Sequence, residues 1–341
     1  MLQSQYKPGG LAESLILLPG HHPARAAVGA LIANKYREDP NDANSTSYVH
    51  TIITAYDDFI SSAVWNSARP SAAEFEVQFV TAMRTVAGAA VRLHRTVLEL
   101  VPNLRDAMSS GSSYGEIIAR NLGALVDVDY CPIGAEEAAE RARTSIFRPG
   151  NHTVTIKPLF KQWLYNHLVK PLYERAGPQA TGGVANFSTA IVTFVVHCPF
   201  AVWSDDLDAV VRAALLAIRD RASLEDKDFA IMAKALNILK AIPEVEADDA
   251  LGGHVAALVD GATRAYFRAN MGGDARRPER KECRTRALEL LEAIPARIDH
   301  VRLVPHVPQM YQFLADACGG RSRELRQLAL KAKDKWEAVT W

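Results

Sequence analysis

Residues 234–245 read KALNILKAIPEV, and 52 residues further on residues 286–297 read RALELLEAIPAR. Both follow Ala-Leu-x-x-Leu-x-Ala-Ile-Pro, with the prolines at Pro243 and Pro295. In the first copy Ala235, Leu236, Leu239 and Ile242 recur at helical spacing, which lays them along one stripe of an α-helix. Proline has no N–H and biases the preceding residue away from helical geometry, so a helix stops at Ile242. Ser223, with Asp226 three residues on, outlines the capping box that would start it. The next helix is expected to begin near Ala247-Asp248-Asp249, whose carboxylates suit a helix N-terminus. It runs through Val255, Leu258, Val259 and Ala262 towards Phe267.

The same two-helix paragraph appears upstream and downstream. An apolar helix from Phe187 to Cys198 ends at Pro199, a short link follows, and Ser204-Asp205-Asp206 opens a helix carrying Val210, Val211, Ala214 and Ile218. Arg284 to Ile294 ends at Pro295, and Pro305 and Pro308 introduce a helix with Met310, Phe313 and Leu314. A last helix, SRELRQLALKAKDKWEAV, follows. Paired antiparallel helices repeating at roughly 40–47 residues are the signature of HEAT-type solenoids, in which each pair buries its apolar face only by stacking on its neighbours. The repeated ending is where helix A of a repeat turns into helix B. Further helices are expected over 25–39, 47–65, 73–101, 114–126, 134–143 and 156–176, with loops at 40–46, 109–113, 147–153 and 177–186. The fold class is therefore all-α, one continuous α-solenoid over residues 1–341, with residues 1–20 loosely ordered, weaker repeats over 24–130 and the clearest ones over 150–341.

Composition fits that architecture. Of the 341 residues 48% are apolar and 23% charged, enough to build a sizeable core. Thirty-nine basic residues balance thirty-nine acidic ones, so no global charge argues for nucleic acid or an anionic membrane. The balance tilts only at the end, where residues 274–341 carry 14 Lys/Arg against 10 Asp/Glu. Cys131, Cys198, Cys283 and Cys318 are widely scattered and form no CxxC pair, a pattern of reduced, mostly buried thiols. The first residues lack a signal-peptide pattern and no apolar run approaches 18 residues, so a soluble chain of the cytoplasm or nucleus is expected.

Catalytic patterns are weak. Gly111-Ser112-Ser113-Tyr114-Gly115 satisfies GxSxG, but a nucleophile elbow needs a buried strand before its serine, and NLRDAMSS is not one. His21-His22 are adjacent and His300 and His306 straddle a proline, none with a convergent third ligand. The recurring Asp205-Asp206 and Asp248-Asp249 read as helix caps. No enzyme, metal or cofactor is expected. The basic clusters around Arg276–Arg286 and Arg321–Lys335 read mainly as solvated surface. Arg326 and Lys333, seven residues apart, share one face of the last helix and suit an acidic protein partner better than nucleic acid.

Several stretches resemble the C-terminal part of the MMS-nineteen family, the longer HEAT-repeat scaffold of the cytosolic iron–sulfur protein assembly targeting complex. RAAVGALIANK ends, like the family's small-residue helix, in Asn34-Lys35. LFKQWLYNHLVKPL carries the Lys-Gln…Pro-x-Leu pattern at Lys161, Gln162, Pro171 and Leu172. The Ile-Pro endings at 243 and 295 match, and LRQLALKAKDKW takes the closing pattern with Leu325, Arg326, Ala329 and Trp336, Lys333 standing where the family has Arg. The resemblance implies a non-enzymatic adaptor that brings a WD-propeller subunit and a MIP-eighteen-type small subunit to apo iron–sulfur clients of DNA replication and repair. It implies no direct contact with nucleic acid or membrane. Arg326, Lys333 and Lys335 become the expected partner-binding residues; Trp336 reads either as a packing anchor beside them or, the favoured reading, as a core cap closing the last repeat. Another HEAT-type scaffold, of the transport-receptor or phosphatase kind, shares the fold without these partners.

Overall fold

Apolar stripes at helical spacing fold as helices in the computed structural model, which describes residues 71–91, 95–109, 113–127, 158–175, 184–219, 225–271 and 277–340; among these no strand occurs. The helices expected over 25–39, 47–65 and 134–143 lie outside the described residues, as do Ser223, Asn34-Lys35, His21-His22 and Cys131. The chain divides between Val202 and Trp203 into two compact units, where one continuous solenoid was expected.

The first unit contains α1 (Ala72–Val91), α2 (Leu100–Ser109), α3 (Ser113–Asn121), α4 (Pro158–Leu164) and α5 (Val184–Val195). The single helix expected over 73–101 is two: a 3-10 turn at Arg95–Glu99 leads into α2, which starts early enough to take Pro102 into its first turn. A proline is tolerated there because that N–H has no helical partner in any case. α4 widens into a π turn at Tyr165–Val169 before Pro171, whose ring would collide with the carbonyl one turn back. Two glycines set close approaches. A Cβ on Gly115 would lie 2.5 Å from the Ala107 carbonyl of α2, and one on Gly123 would meet the Thr193 carbonyl of α5. Around them Thr193 donates to the Ala119 carbonyl at 2.8 Å, and Arg120 and Asn121 both bond Glu76 of α1.

The second unit contains α6 (Leu207–Arg219), α7 (Asp226–Ala241), α8 (Glu244–Leu251), α9 (Val255–Asn270), α10 (Pro278–Ala293), α11 (His300–Leu303), α12 (Val307–Cys318) and α13 (Arg323–Glu337). Its side-chain bonds give the orientation of α7, α9, α10 and α13. Near their starts, Asp226 of α7 pairs with Arg280 of α10 at 3.0 Å and Lys281 of α10 with Glu324 of α13 at 2.7 Å. Near their ends, Lys240 of α7 pairs with Glu289 of α10 at 2.9 Å and Glu292 of α10 with Lys335 of α13 at 3.1 Å. α7, α10 and α13 therefore run parallel as one layer, the A layer. α6, α9 and α12 form the other, the B layer: α6 packs on α9, and Tyr266 and Phe267 of α9 both meet Phe313 of α12 with ring centroids 5.3 Å apart. Between layers the direction reverses, since Arg284 near the start of α10 bonds Asn270 at the end of α9. Two layers of stacked antiparallel helix pairs are the expected all-α repeat architecture.

Local details correct the sequence reading. The capping box of α7 is made by Glu225 and Asp228, whose carboxylate accepts from the Glu225 N–H at 3.1 Å. The helix after Pro243 begins at Glu244, and Asp248 and Asp249 sit inside it; α9 starts only at Val255, after a 3-10 turn at Gly252–His254. α10 begins at Pro278, six residues before the expected Arg284. The two Ile-Pro endings also differ. Ile242 is extended (φ −61°, ψ 130°) and breaks the helix cleanly, whereas Ile294 stays helical (φ −55°, ψ −47°) and Pro295 continues into a 3-10 turn.

Candidate protein-binding surface

Each Pro-terminated exit leaves carbonyls that no backbone N–H can reach. Pro295 is the residue that would have bonded the Leu291 carbonyl, and it has no N–H to give. The Trp336 indole N–H of α13 donates to that carbonyl instead, at 2.8 Å. One repeat earlier, Arg297 donates to the Lys240 carbonyl at 2.6 Å, in the last turn of α7. A side chain from the following repeat thus closes both Ile-Pro exits, at Pro243 and Pro295.

This decides the placement of the four expected binding residues. Trp336 has no exposed surface, and with Leu325, Ala329 and Ala332 it forms the buried stripe of α13. Of the two readings of Trp336, its burial is that of the core cap. Arg326 is drawn into the turn after α12, donating to the carbonyls of Gly320 at 3.0 Å and Arg321 at 3.2 Å. Its guanidinium closes a loop, where a free charge for a partner was expected. Lys333 and Lys335 stay at the surface, with side chains 35% and 46% exposed, and pair with Glu337 at 3.4 Å and Glu292 at 3.1 Å. Pairs this open to solvent are worth little energetically and can exchange partners. The structure therefore separates the four: Trp336 is buried, Arg326 is half-buried and bonded to backbone, and Lys333 and Lys335 are paired with carboxylates at the surface.

The lysines belong to a larger polar face. The A layer is crossed by ion pairs at both ends of each inter-helix seam, and Asp226 also receives a bond from Arg277. The bond from Arg280 holds the Asp226 carboxyl below the usual range. Burial opposes ionisation of Glu289, but bonds from Lys240 and Arg286 outweigh it, so this carboxyl too lies low. Arg280 additionally lies over the Phe229 ring, 4.6 Å from its centroid, and donates to the Met271 carbonyl at 3.0 Å. Solvation was expected for this first basic cluster; Arg280 and Arg284 are instead buried.

The other sequence candidates have structural occupations. Ser113 is the first residue of α3, so GxSxG opens a helix after a helix and makes no strand-to-helix elbow. Its Gly115 serves the close packing of α3 on α2. Lys161 donates to the His197 carbonyl and Gln162 to the Val202 carbonyl at 3.2 Å, securing the turn after α5. Burial pushes the Cys283 and Cys198 thiols up to about 12, and Cys318 is also raised. Among the described residues no three His, Cys, Asp or Glu side chains group to hold a metal ion, and no helix is long and apolar enough to cross a membrane.

No protein-family model matches the chain, and no curated protein matches it. Among solved structures, an engineered protein from the Northeast Structural Genomics Consortium aligns at 16% identity, covering 86% of this chain and 98% of its own, with a TM-score of 0.44. Similarity at that level carries neither fold nor function across, and the architecture rests on the packing described above.

Proposed function

We propose that this chain is a non-catalytic helical-repeat scaffold that binds other proteins across its A layer. The observation that carries this reading is the division of labour within α13. Its apolar stripe is spent on the core, while Lys333 and Lys335 stand on a surface of exchangeable ion pairs that extends over α10 and α7. A mixed-charge face of this kind suits recognition of a protein surface by charge complementarity. The ordered sequence resemblance supports a specific assignment: the scaffold of the cytosolic iron–sulfur assembly targeting complex, acting in cytoplasm and nucleus. In that assignment it docks the WD-propeller and MIP-eighteen-type subunits and presents them to apo iron–sulfur proteins of DNA replication and repair.

Co-purification with the propeller and small subunits, followed by gel filtration, tests the assignment. A stable ternary peak that weakens in the Lys333→Glu/Lys335→Glu variant is the expected result. A folded chain that forms no such complex overturns the targeting assignment. Association instead with a Ran-type GTPase or a phosphatase catalytic subunit would place it among transport or phosphatase scaffolds.

A further inference from the structure

The links from A-layer to B-layer helices form an edge with a chemistry of its own. Two successive links, 242–254 and 294–306, and the start of α6 lie side by side: Asp208 in the first turn of α6 faces His254 at 3.7 Å, and Asp248 of α8 accepts from the Asp299 N–H at 2.9 Å. Arg302 of α11 lies against Gly252 and reaches the Asp248 carbonyl at 3.4 Å. On this edge three aliphatic side chains face water: Val245 is 93% exposed, Val301 77% and Val304 51%. Val245 stands one helical turn before Asp248 and Val301 two residues after Asp299, so the bridge that joins α8 to α11 brings them into one neighbourhood.

Folding does not explain these valines. α8 buries only Ala247 and Leu251, and a β-branched residue in its first turn gains nothing for the helix. The surroundings are acidic. Glu244, Glu246 and Asp249 are exposed beside Val245, and residues 241–263 contain no lysine or arginine. Asp205, just before α6, and Asp208, in its first turn, are exposed, Asp208 pairing with Arg212 at 2.8 Å. Arg302, beside Val301, is directed onto Asp248, 4.0 Å from its carboxylate.

We propose that this edge is a docking surface for a basic segment of a partner protein that carries aliphatic side chains. The valines supply apolar contact at the centre, and the carboxylates supply attraction at the rim. The same carboxylates repel an anionic lipid surface. The proposal extends the scaffold reading to a second face and does not involve Lys333 or Lys335, so the two fail separately.

The full chain is titrated by fluorescence anisotropy with a labelled 16-residue peptide of interspersed lysine and leucine, and with its counterpart bearing glutamate for lysine. The basic peptide is expected to bind, more weakly as salt rises, and to protect amides of 243–251 and 299–306 from hydrogen exchange. Val245→Ser/Val301→Ser and Glu244→Lys/Glu246→Lys should each weaken binding at least tenfold, and Lys333→Glu/Lys335→Glu should not. These positions are exposed, so circular dichroism should show every variant folded. Equal binding of the acidic peptide, protection elsewhere, or indifference to the valine variant overturns the proposal. So does a concentration-dependent dimer that dissociates in Val245→Ser/Val301→Ser, which would make a second copy the occupant.

Discussion

Trp336 stands in the structure as a core cap, one of the two readings its sequence allows, the other being an interface anchor. Its ring fills core and its N–H replaces the one that Pro295 cannot supply, so two substitutions separate the contributions. Trp336→Ala should cost about 3–5 kcal/mol in urea unfolding by opening a cavity. Trp336→Phe keeps most of the volume but abandons the Leu291 carbonyl, and should cost about 1–3 kcal/mol. If phenylalanine were as good as tryptophan, the capping role would be wrong. The glycines of α3 and its 3-10 extension make a parallel case. Gly115→Ala and Gly123→Ala push a methyl against backbone that cannot swing aside, and each should destabilise by about 1–3 kcal/mol. Ser113→Ala should change neither stability nor any labelling by a fluorophosphonate; labelling that disappears in this variant would revive a hydrolase.

At the level of elements, periodicity was enough to find nearly every described helix, because burial on one side of a helix imposes a spacing that survives in any context. Its boundaries were less legible. Asp248-Asp249 look like a cap from sequence, but Glu244 can start a helix directly after Pro243, and local sequence does not say which of two acidic pairs wins. The second Ile-Pro ending stays helical because the turn that follows Ile294 is stitched by Arg297 and Ile298 N–H groups to the Ile294 carbonyl. That choice depends on chain beyond the motif. The binding residues were legible only as charges: Arg326 and Lys333 find partners within six residues, at Gly320, Arg321 and Glu337, whereas the partner of Lys335, Glu292, lies on another helix 43 residues away. The inter-helix pairs give a pH signature. Asp226 and Glu289 have folded pKa values below their unfolded ones, so their stabilisation is present above the unfolded values and is lost as pH falls through the folded ones. The urea midpoint should therefore drop as pH is lowered from about 5 towards 3, and Asp226→Asn with Glu289→Gln should flatten that slope. An unaltered slope would mean the seams carry no net charge coupling.

Over the second unit as a whole, the closing bonds point one way: Arg297 reaches back to the exit of α7, and Trp336 reaches back to the exit of α10. Deleting residues 321–341 removes α13 and should raise hydrogen exchange in the C-terminal half of α10 well before it affects α6. Arg297→Ala should do the same to the end of α7 while sparing α13. Exchange that rises evenly across the unit in either case would show that the repeats unfold as one body and that the closures are incidental. A nascent chain emerges N-terminus first, so every repeat made this way must wait, its exit carbonyls in water, until the ribosome has delivered the next. Completion of this unit consequently waits for α13, and a pause in translation between α10 and α13 would expose an unfinished apolar seam to whatever chaperone is nearest.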